Sequence, residues 1–169
     1  MARQRSGDAA APLRAGWREW VALPDLGVER IKAKLDTGAA TSALHAVHIR
    51  RFSADGVDRV AFDVHPDQHR AYRTVSCVAA VVDERLFKSS NGHRERRLVI
   101  RQLLAIGGRQ FPIEISLTNR DTMGFRMLIG RSAMKRRVLV DPGSSFCAGD
   151  PRAAVTGIQK ARGARGGRR

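Results

Sequence analysis

The stretch V-E-R-I-K-A-K-L-D-T-G-A, residues 28–39, decides the fold. Its first eight residues place apolar and cationic side chains on opposite faces with a period of two, which is typical of a half-buried β-strand. The apolar face consists of Ile31, Ala33 and Leu35, and the cationic face of Arg30, Lys32 and Lys34. The strand therefore runs directly into Asp36 and holds that carboxyl group at a rigid strand end.

Asp36-Thr37-Gly38 has the composition of a carboxylate-bearing catalytic loop. Gly38 lets the backbone turn sharply and lets a second such loop approach. The Thr37 hydroxyl can tie two loops together, and Ala39 keeps the floor of a cleft clear. Two carboxylates about 3 Å apart cannot both ionise, so they share one proton; one activates water and the other donates a hydrogen bond to the substrate carbonyl. Because the chain contains one such triplet, we expect two copies related by a twofold axis to supply one Asp36 each.

A second segment, M-L-I-G-R at residues 127–131, supports this interpretation. With E-W-V-A-L-P, A-K-L-D-T-G-A-A-T-S-A-L-H-A, K-S-S-N-G-H-R-E-R-R, L-T-N-R-D-T-M and V-D-P-G-S-S-F, it resembles a bacterial family labelled ATP-dependent zinc protease. Despite that label, the family is similar to the retropepsins, and the resemblance covers residues 17–146. It implies an all-β protein with a closed pepsin/retropepsin-like barrel, one lobe per chain and a C2 homodimer. The implied activity is that of an aspartic endopeptidase with Asp36 as its catalytic residue.

The same resemblance assigns a supporting role to the second segment. The residues expected to support the active-site loop are Leu128, Ile129, Gly130 and Arg131. Ala40 stands where this family is expected to have Arg, so the sequence leaves the partner of Arg131 open and favours a structural role for it. Some members of the family occur near enzymes that add glutamate to ribosomal protein tails. By association, the substrate is expected to be acidic or a glutamate-rich protein tail.

Asn91-Gly92 predicts a β-hairpin with a type I′ turn between strands near residues 85–88 and 97–100. In retropepsins the corresponding hairpin is a flap that closes over the substrate. The predicted flap consists of Lys88, Ser89, Ser90, Asn91 and Gly92. Three neighbouring cations, Arg94, Arg96 and Arg97, either bind an acidic substrate or form a solvated face.

Further apolar runs between turn signals predict strands at residues 20–24, 57–64, 74–82, 103–106, 110–117, 127–129 and 138–140. A single helical turn is predicted within residues 132–136. The domain organisation follows from composition. Residues 1–16 are predicted to be a disordered basic tail, residues 17–150 the retropepsin-like peptidase domain, and residues 151–169 a disordered Arg/Gly-rich tail.

The formal net charge of +15 indicates an affinity for polyanions, including an acidic peptide, or nucleic acid through the basic tails. No apolar run reaches the roughly 20 residues of a membrane helix, and no signal peptide is evident, so no membrane partner is expected. The two cysteines predict reduced thiols in a cytoplasmic protein.

No cofactor and no metal are expected, because neither H-E-x-x-H nor a phosphate-binding loop occurs. The histidine pairs His45/His48 and His65/His69 lie in predicted polar loops and are poor candidates for a catalytic zinc site. Asp141 is a weaker second candidate for the dyad, since Pro142 follows it in place of a hydroxyl residue. The alternative function is a non-catalytic basic β-barrel that binds acidic protein tails or RNA.

Overall fold

In this computed structural model, the structure describes residues 10–67, 73–89, 91–119 and 124–152. Almost all regular structure is β, which confirms the all-β prediction. A 3₁₀ turn spans Pro24–Leu26, and one short helix, α1, spans Arg131–Met134. The strands are β1 (Leu13–Gly16), β2 (Arg18–Leu23), β3 (Val28–Leu35), β4 (Ser42–His45), β5 (Val47–Ala54), β6 (Val57–Val64), β7 (Val75–Lys88), β8 (Arg94–Ile106), β9 (Arg109–Thr118), β10 (Met127–Ile129) and β11 (Val138–Asp141).

Nine strands form one sheet in the order β2-β3-β10-β4-β9-β8-β7-β6-β5. β2 also pairs with β8 at Ala22 and Ala105, so the strands from β2 through β8 in this order form a ring. β7, β6 and β5 extend the sheet beyond that ring. A separate two-stranded parallel sheet joins β1 to β11.

The position of β10 is the feature of this topology that builds the candidate site. β10 lies between β3, to which it is parallel, and β4, to which it is antiparallel. The chain between β3 and β4 must therefore pass over the end of β10. We call this connection the Asp36 loop, residues 36–41.

The interior of the ring is apolar, and it fixes the three strands that carry the Asp36 loop. The alternation predicted for residues 28–35 is observed, with Ile31, Ala33 and Leu35 buried. Leu44 of β4 and Met127 of β10 are fully buried in the same cluster. Burial of each large side chain stabilises the fold by about 1.5–3 kcal/mol, so the strand ends are held by packing on several sides.

Two predictions about the termini and the strands need correction. The chain is ordered from within the predicted N-terminal tail, because Leu13–Gly16 form β1 and the Leu13 N–H donates to the Arg137 carbonyl oxygen at 2.8 Å. β4 and β5 were also absent from the predicted strands. Residues 1–9 and 153–169, which make up most of the two predicted tails, lie outside the described residues. Within the described ranges, no helix is long and apolar enough to cross a membrane.

Candidate active site

Asp36 lies directly at the end of β3, as its sequence position predicts. Its N–H donates to the Ile129 carbonyl oxygen at 2.8 Å, which extends the β3–β10 ladder by one residue. Its Oδ1 accepts a hydrogen bond of 2.9 Å from the Gly38 N–H. The side chain is 25% exposed, so the carboxylate is held in one orientation and still accessible to a substrate.

Gly130 brings β10 into direct contact with the Asp36 loop. A Cβ atom at this residue would lie 2.6 Å from the Thr41 carbonyl carbon and 2.8 Å from the Ala40 carbonyl oxygen. The Gly130 N–H donates to Ser42 Oγ at 3.0 Å. Only a residue without a side chain allows this approach, so the glycine of the M-L-I-G-R segment is required by packing.

Arg131 contacts the Asp36 loop although Ala40 offers it no charged partner. Its Nη1 donates to the Thr37 carbonyl oxygen at 2.9 Å, and its backbone N–H donates to the Ala39 carbonyl oxygen at 2.8 Å. Ser132 Oγ donates to the Ala40 carbonyl oxygen at 2.8 Å. Arg131 therefore supports the Asp36 loop through backbone carbonyl groups and needs no acidic partner at residue 40.

The tip of the Asp36 loop faces an open groove. Thr37 and Ala40 line it together with α1 and β11, and its volume is about 680 Å³. Leu139 of β11, which also lines this groove, is 62% exposed. Thr37 and Gly38 are exposed at the tip. Within the described part of the chain, Thr37 accepts a hydrogen bond from Arg131 through its backbone carbonyl oxygen, and its hydroxyl group makes none.

A row of cations leads along β3 to Asp36. Lys34 Nζ lies 3.9 Å from Asp36 Oδ2, which places Lys34 on the same side of the strand as the carboxylate. The sequence showed this cationic face, but the prediction gave its residues no role at the site. The indication in the sequence is the period of two: residues 30, 32 and 34 project from one face of β3, and Asp36, directly after the strand, continues that alternation.

The predicted flap is a hairpin of β7 and β8, but its turn differs from the type I′ prediction. The Ser89 N–H donates to the His93 carbonyl oxygen at 2.8 Å, so three sequence positions separate the residues that close the hairpin, where a type I′ turn has two. Gly92 has φ of 82°, the left-handed conformation that three-residue hairpin loops place at a glycine. Lys88 ends β7, and Ser90 lies outside the described residues.

The three arginines predicted to bind substrate do not act as one set. Strand alternation places Arg94 and Arg96, both exposed, on one face of β8 and Arg97 on the other. Arg97 Nε donates to Glu95 Oε2 at 2.9 Å, and its guanidinium lies 4.9 Å from the centre of the Phe87 ring. At most Arg94 and Arg96 can meet the same ligand.

Asp141 has a structural environment. Its carboxylate accepts hydrogen bonds from Arg14 at 2.5 Å, from the Gly143 N–H at 3.0 Å and from Ser144 Oγ at 2.9 Å. These donors lower the pKa of Asp141 to about 2, with the Arg14 hydrogen bond as the largest cause. The contacts close the β1–β11 pair, as expected for a strand end followed by a turn.

A buried carboxylate that the sequence did not reveal holds the C-terminal segment. Glu19 of β2 is fully buried, and its Oε1 accepts hydrogen bonds from the Gly16 N–H at 2.7 Å and the Cys147 N–H at 2.9 Å. The Ala148 N–H donates to the same carboxylate at 3.2 Å. Glu19 thus accepts the backbone N–H groups of Cys147 and Ala148 in place of a strand partner.

The histidines and cysteines lie apart. His45 is buried on β4, and His48 Nδ1 lies 2.9 Å from Asp63 Oδ2. Among residues 10–67, 73–89, 91–119 and 124–152, no three His, Cys, Asp or Glu side chains are grouped for a metal ion. Both cysteines are free thiols; burial raises the pKa of Cys77 to about 11.

The fold and the Asp36 loop together define a retropepsin-like domain. The chain belongs to the RimB-like family: the family described as "Retropepsin-like aspartic endopeptidase RimB" matches residues 14–151. This match confirms the resemblance predicted from the sequence and includes the whole of the described ring of strands.

Relatives with other names share the same domain. A "Probable alpha-L-glutamate ligase" of Shewanella pealeana is 50% identical over 135 residues, which are 80% of this chain and 30% of that protein. A protein of the same name from Parasynechococcus marenigrum is 47% identical over 137 residues, 81% of this chain and 29% of its own length. The chain thus spans less than a third of these curated relatives.

A solved structure is also similar. It is a Legionella pneumophila protein of unknown function, assigned to DUF785, with a TM-score of 0.69 and 27% identity. The match covers 81% of this chain and 98% of that one. The family's fold is therefore found in a protein of nearly the same extent as the matched region.

Proposed function

We propose that the protein is an aspartic endopeptidase whose catalytic dyad consists of Asp36 from each of two subunits of a closed-barrel C2 homodimer. The observation that carries the proposal is the Asp36 carboxylate itself. It is partly exposed at a strand end, oriented by the Gly38 N–H, and its loop is supported from behind by Gly130 and Arg131. Such rigid placement is what a carboxylate pair needs in order to share a proton and activate water.

In the proposed chemistry, one of the two Asp36 carboxyl groups is ionised and the other is protonated. The ionised Asp36 takes a proton from water, which attacks the peptide carbonyl carbon, while the protonated Asp36 of the second copy donates a hydrogen bond to the carbonyl oxygen. When the C–N bond breaks, the amine leaves with a proton from the first carboxyl group.

The dimer is supported by the surface around the loop tip. Thr37 and Gly38 are exposed there, beside a groove of about 680 Å³ lined with apolar residues of β11. Leu139 is 62% exposed, and β11 has one paired neighbour, β1, within the described residues. A second copy placed across this surface would cover Leu139 and bring its own Asp36 loop to the first.

An acidic protein tail is the substrate that the charge favours. The chain carries +15 formal charges, and its relatives are named for ligation of glutamate. A reduced, cytoplasmic setting is consistent with the two free thiols. A glutamate-rich tail fits both the positive charge and the names of the relatives, since a peptidase domain within a glutamate ligase would meet the ligase's product.

The second candidate, a basic module that binds acidic tails or RNA without cleaving them, is favoured by the cations beside Asp36. Hydrolysis separates the two candidates. The wild-type protein should cleave members of a diverse peptide library in metal-free buffer, and Asp36→Asn should cleave none while keeping the wild-type circular dichroism and melting curve. Binding that survives Asp36→Asn, with no hydrolysis by either protein, would favour the module.

Subunit mixing tests the shared dyad. A ninefold excess of Asp36→Asn chains, allowed to exchange with wild-type chains, should leave about a tenth of the original activity, because nearly every wild-type chain then has an inactive partner. Undiminished activity, together with a sedimentation coefficient of a monomer, would show that one chain completes its own site.

A further inference from the structure

The outer face of β2 and β3 gathers cations beside Asp36. Successive outward side chains of a strand are about 6.6–7 Å apart, and the outward residues of β3 are Arg30, Lys32 and Lys34. Arg18 on β2 lies directly opposite Lys34. We call these four residues the cationic ladder. Lys34, its last member on β3, lies 3.9 Å from the Asp36 carboxylate.

Aromatic rings, and not carboxylates, surround most of the ladder. The Arg30 guanidinium lies 3.8 Å from the centre of the Trp20 ring, and Lys32 Nζ lies 5.4 Å from that of Phe125. The Arg18 guanidinium lies 4.8 Å from the Trp17 ring. Within the part of the chain that the structure describes, Lys34 with Asp36 is the ion pair of the ladder. Asp150 also interacts electrostatically with Arg30, but its pKa of about 2 is due mainly to its hydrogen bonds with Arg152.

Such an arrangement suits an anionic ligand. Like charges placed opposite each other on neighbouring strands repel, and Arg18 and Lys34 are such a pair. A chain of carboxylates would relieve this repulsion. An extended peptide lying along β3 also has alternate side chains about 6.6–7 Å apart, so its acidic residues would match the ladder in spacing.

We propose that the cationic ladder is the specificity-determining surface of the peptidase, and that it binds acidic side chains at alternate residues of an extended peptide beside the scissile bond. The inference rests on the proposed function, and it names the part of the site that selects the substrate. In the twofold dimer, each copy presents its own ladder, so acidic residues are selected on both sides of the cleaved bond.

The aromatic contacts favour a peptide over single-stranded RNA. RNA binding to such a surface uses ring faces on which bases stack. Here Trp20 stacks on Phe146 with ring centres 5.6 Å apart, while Arg30 lies over the Trp20 ring. The rings are therefore occupied by the protein's own side chains, and they hold the cations in place for carboxylates.

The first test exchanges charge between protein and peptide. Matched fluorogenic peptides carry Glu, Gln or Lys at alternate residues on both sides of the cleaved bond. Lys32→Gln should lower kcat/KM for the Glu peptide about tenfold, as loss of a charged hydrogen bond implies, and lower it much less for the Gln peptide. Lys32→Glu should lower the Glu-over-Lys preference further than Lys32→Gln does, because it replaces attraction by repulsion at one of the four ladder positions; a merely structural role would not distinguish the peptides by charge.

Arg50→Gln is the matched control. Arg50 also lies over an aromatic ring, 5.7 Å from the centre of Phe52, but on β5 at the far end of the sheet. It should retain the Glu-over-Gln preference of the wild type. If Lys32→Gln lowers cleavage of all three peptides equally, or if Arg50→Gln removes the preference as fully as Lys32→Gln does, the ladder does not select substrate.

The second test measures binding without hydrolysis, so that it stands apart from the proposed activity. Asp36→Asn protein should bind a labelled oligoglutamate peptide with an affinity that falls with salt, and Lys32→Gln in the same background should weaken it about tenfold. This result supports the ladder even if no peptide is cleaved. An oligouridine of equal charge that displaces the peptide at lower concentration would overturn the inference in favour of RNA.

Discussion

Replacement of Gly130 by alanine tests whether the contact between β10 and the Asp36 loop positions the Asp36 carboxylate. The added Cβ would lie 2.6 Å from the Thr41 carbonyl carbon, where ordinary contacts begin near 3.4 Å. The loop must therefore retreat by about 0.8 Å. No flexible side chain can absorb the overlap, because the three nearest atoms all belong to the backbone.

The expected magnitude follows from this displacement. Overpacking of this kind costs about 1–3 kcal/mol, and loss of the Gly130 N–H bond to Ser42 adds about 1 kcal/mol. We expect the free energy of unfolding to fall by about 2–4 kcal/mol. A catalytic group displaced by about 1 Å loses about 100-fold in rate, so kcat/KM should fall by that factor in conditions where the variant remains folded.

Urea unfolding and peptide hydrolysis at 25 °C measure the two effects. Gly143→Ala is the control, because its nearest atom would lie 3.4 Å away and its φ is not positive; it should change stability by less than about 0.5 kcal/mol. A Gly130→Ala protein with wild-type stability and activity would refute the role given to this contact.

Three further substitutions test other contacts. Arg131→Met removes the hydrogen bond to the Thr37 carbonyl oxygen. It should lower kcat/KM about tenfold and the free energy of unfolding by about 1 kcal/mol. An equal loss of kcat/KM in a variant that is equally destabilised at a distant residue would contradict this. Glu19→Gln should lower stability in urea by about 1–3 kcal/mol, since an amide group would face backbone N–H donors. Arg14→Gln should raise the pKa of Asp141 from about 2. Because that lowered pKa stabilises the fold above the unfolded pKa near 4 and ceases to do so as pH falls through about 2, the variant should unfold at a higher pH in acid titration, and an unchanged midpoint would exclude this linkage.

Local pattern was sufficient for some strands and not for others. Residues 28–35 alternate because one face of β3 is buried and the other is open, so the strand was evident from the sequence. β4 lies in the middle of the sheet with all four residues buried, and it therefore has no alternation. β5 is an edge strand with mostly exposed residues, and β1 depends on pairing with β11, far away in the chain.

The candidate site shows the same division. Asp36 could be identified from its position at the end of an alternating strand, and the Gly130-Arg131 pair from the resemblance to a family that has both segments. The partner of Arg131 could not be, since it is a backbone carbonyl group that any residue at position 37 would offer. The role of Glu19 was hidden for the same reason, because all its strong donors are backbone N–H groups.

The location of β10 between β3 and β4 has a consequence for biosynthesis. β3 and β10 pair Leu35 with Ile129, so the two strands meet only after most of the domain has been made. Contacts of such high sequence separation form late, because the intervening chain must first be ordered. A nascent chain can fold β7, β8 and β9 by local pairing while its Asp36 loop still lacks Gly130 and Arg131. The Asp36 carboxylate therefore reaches its final position only after the end of the domain has left the ribosome.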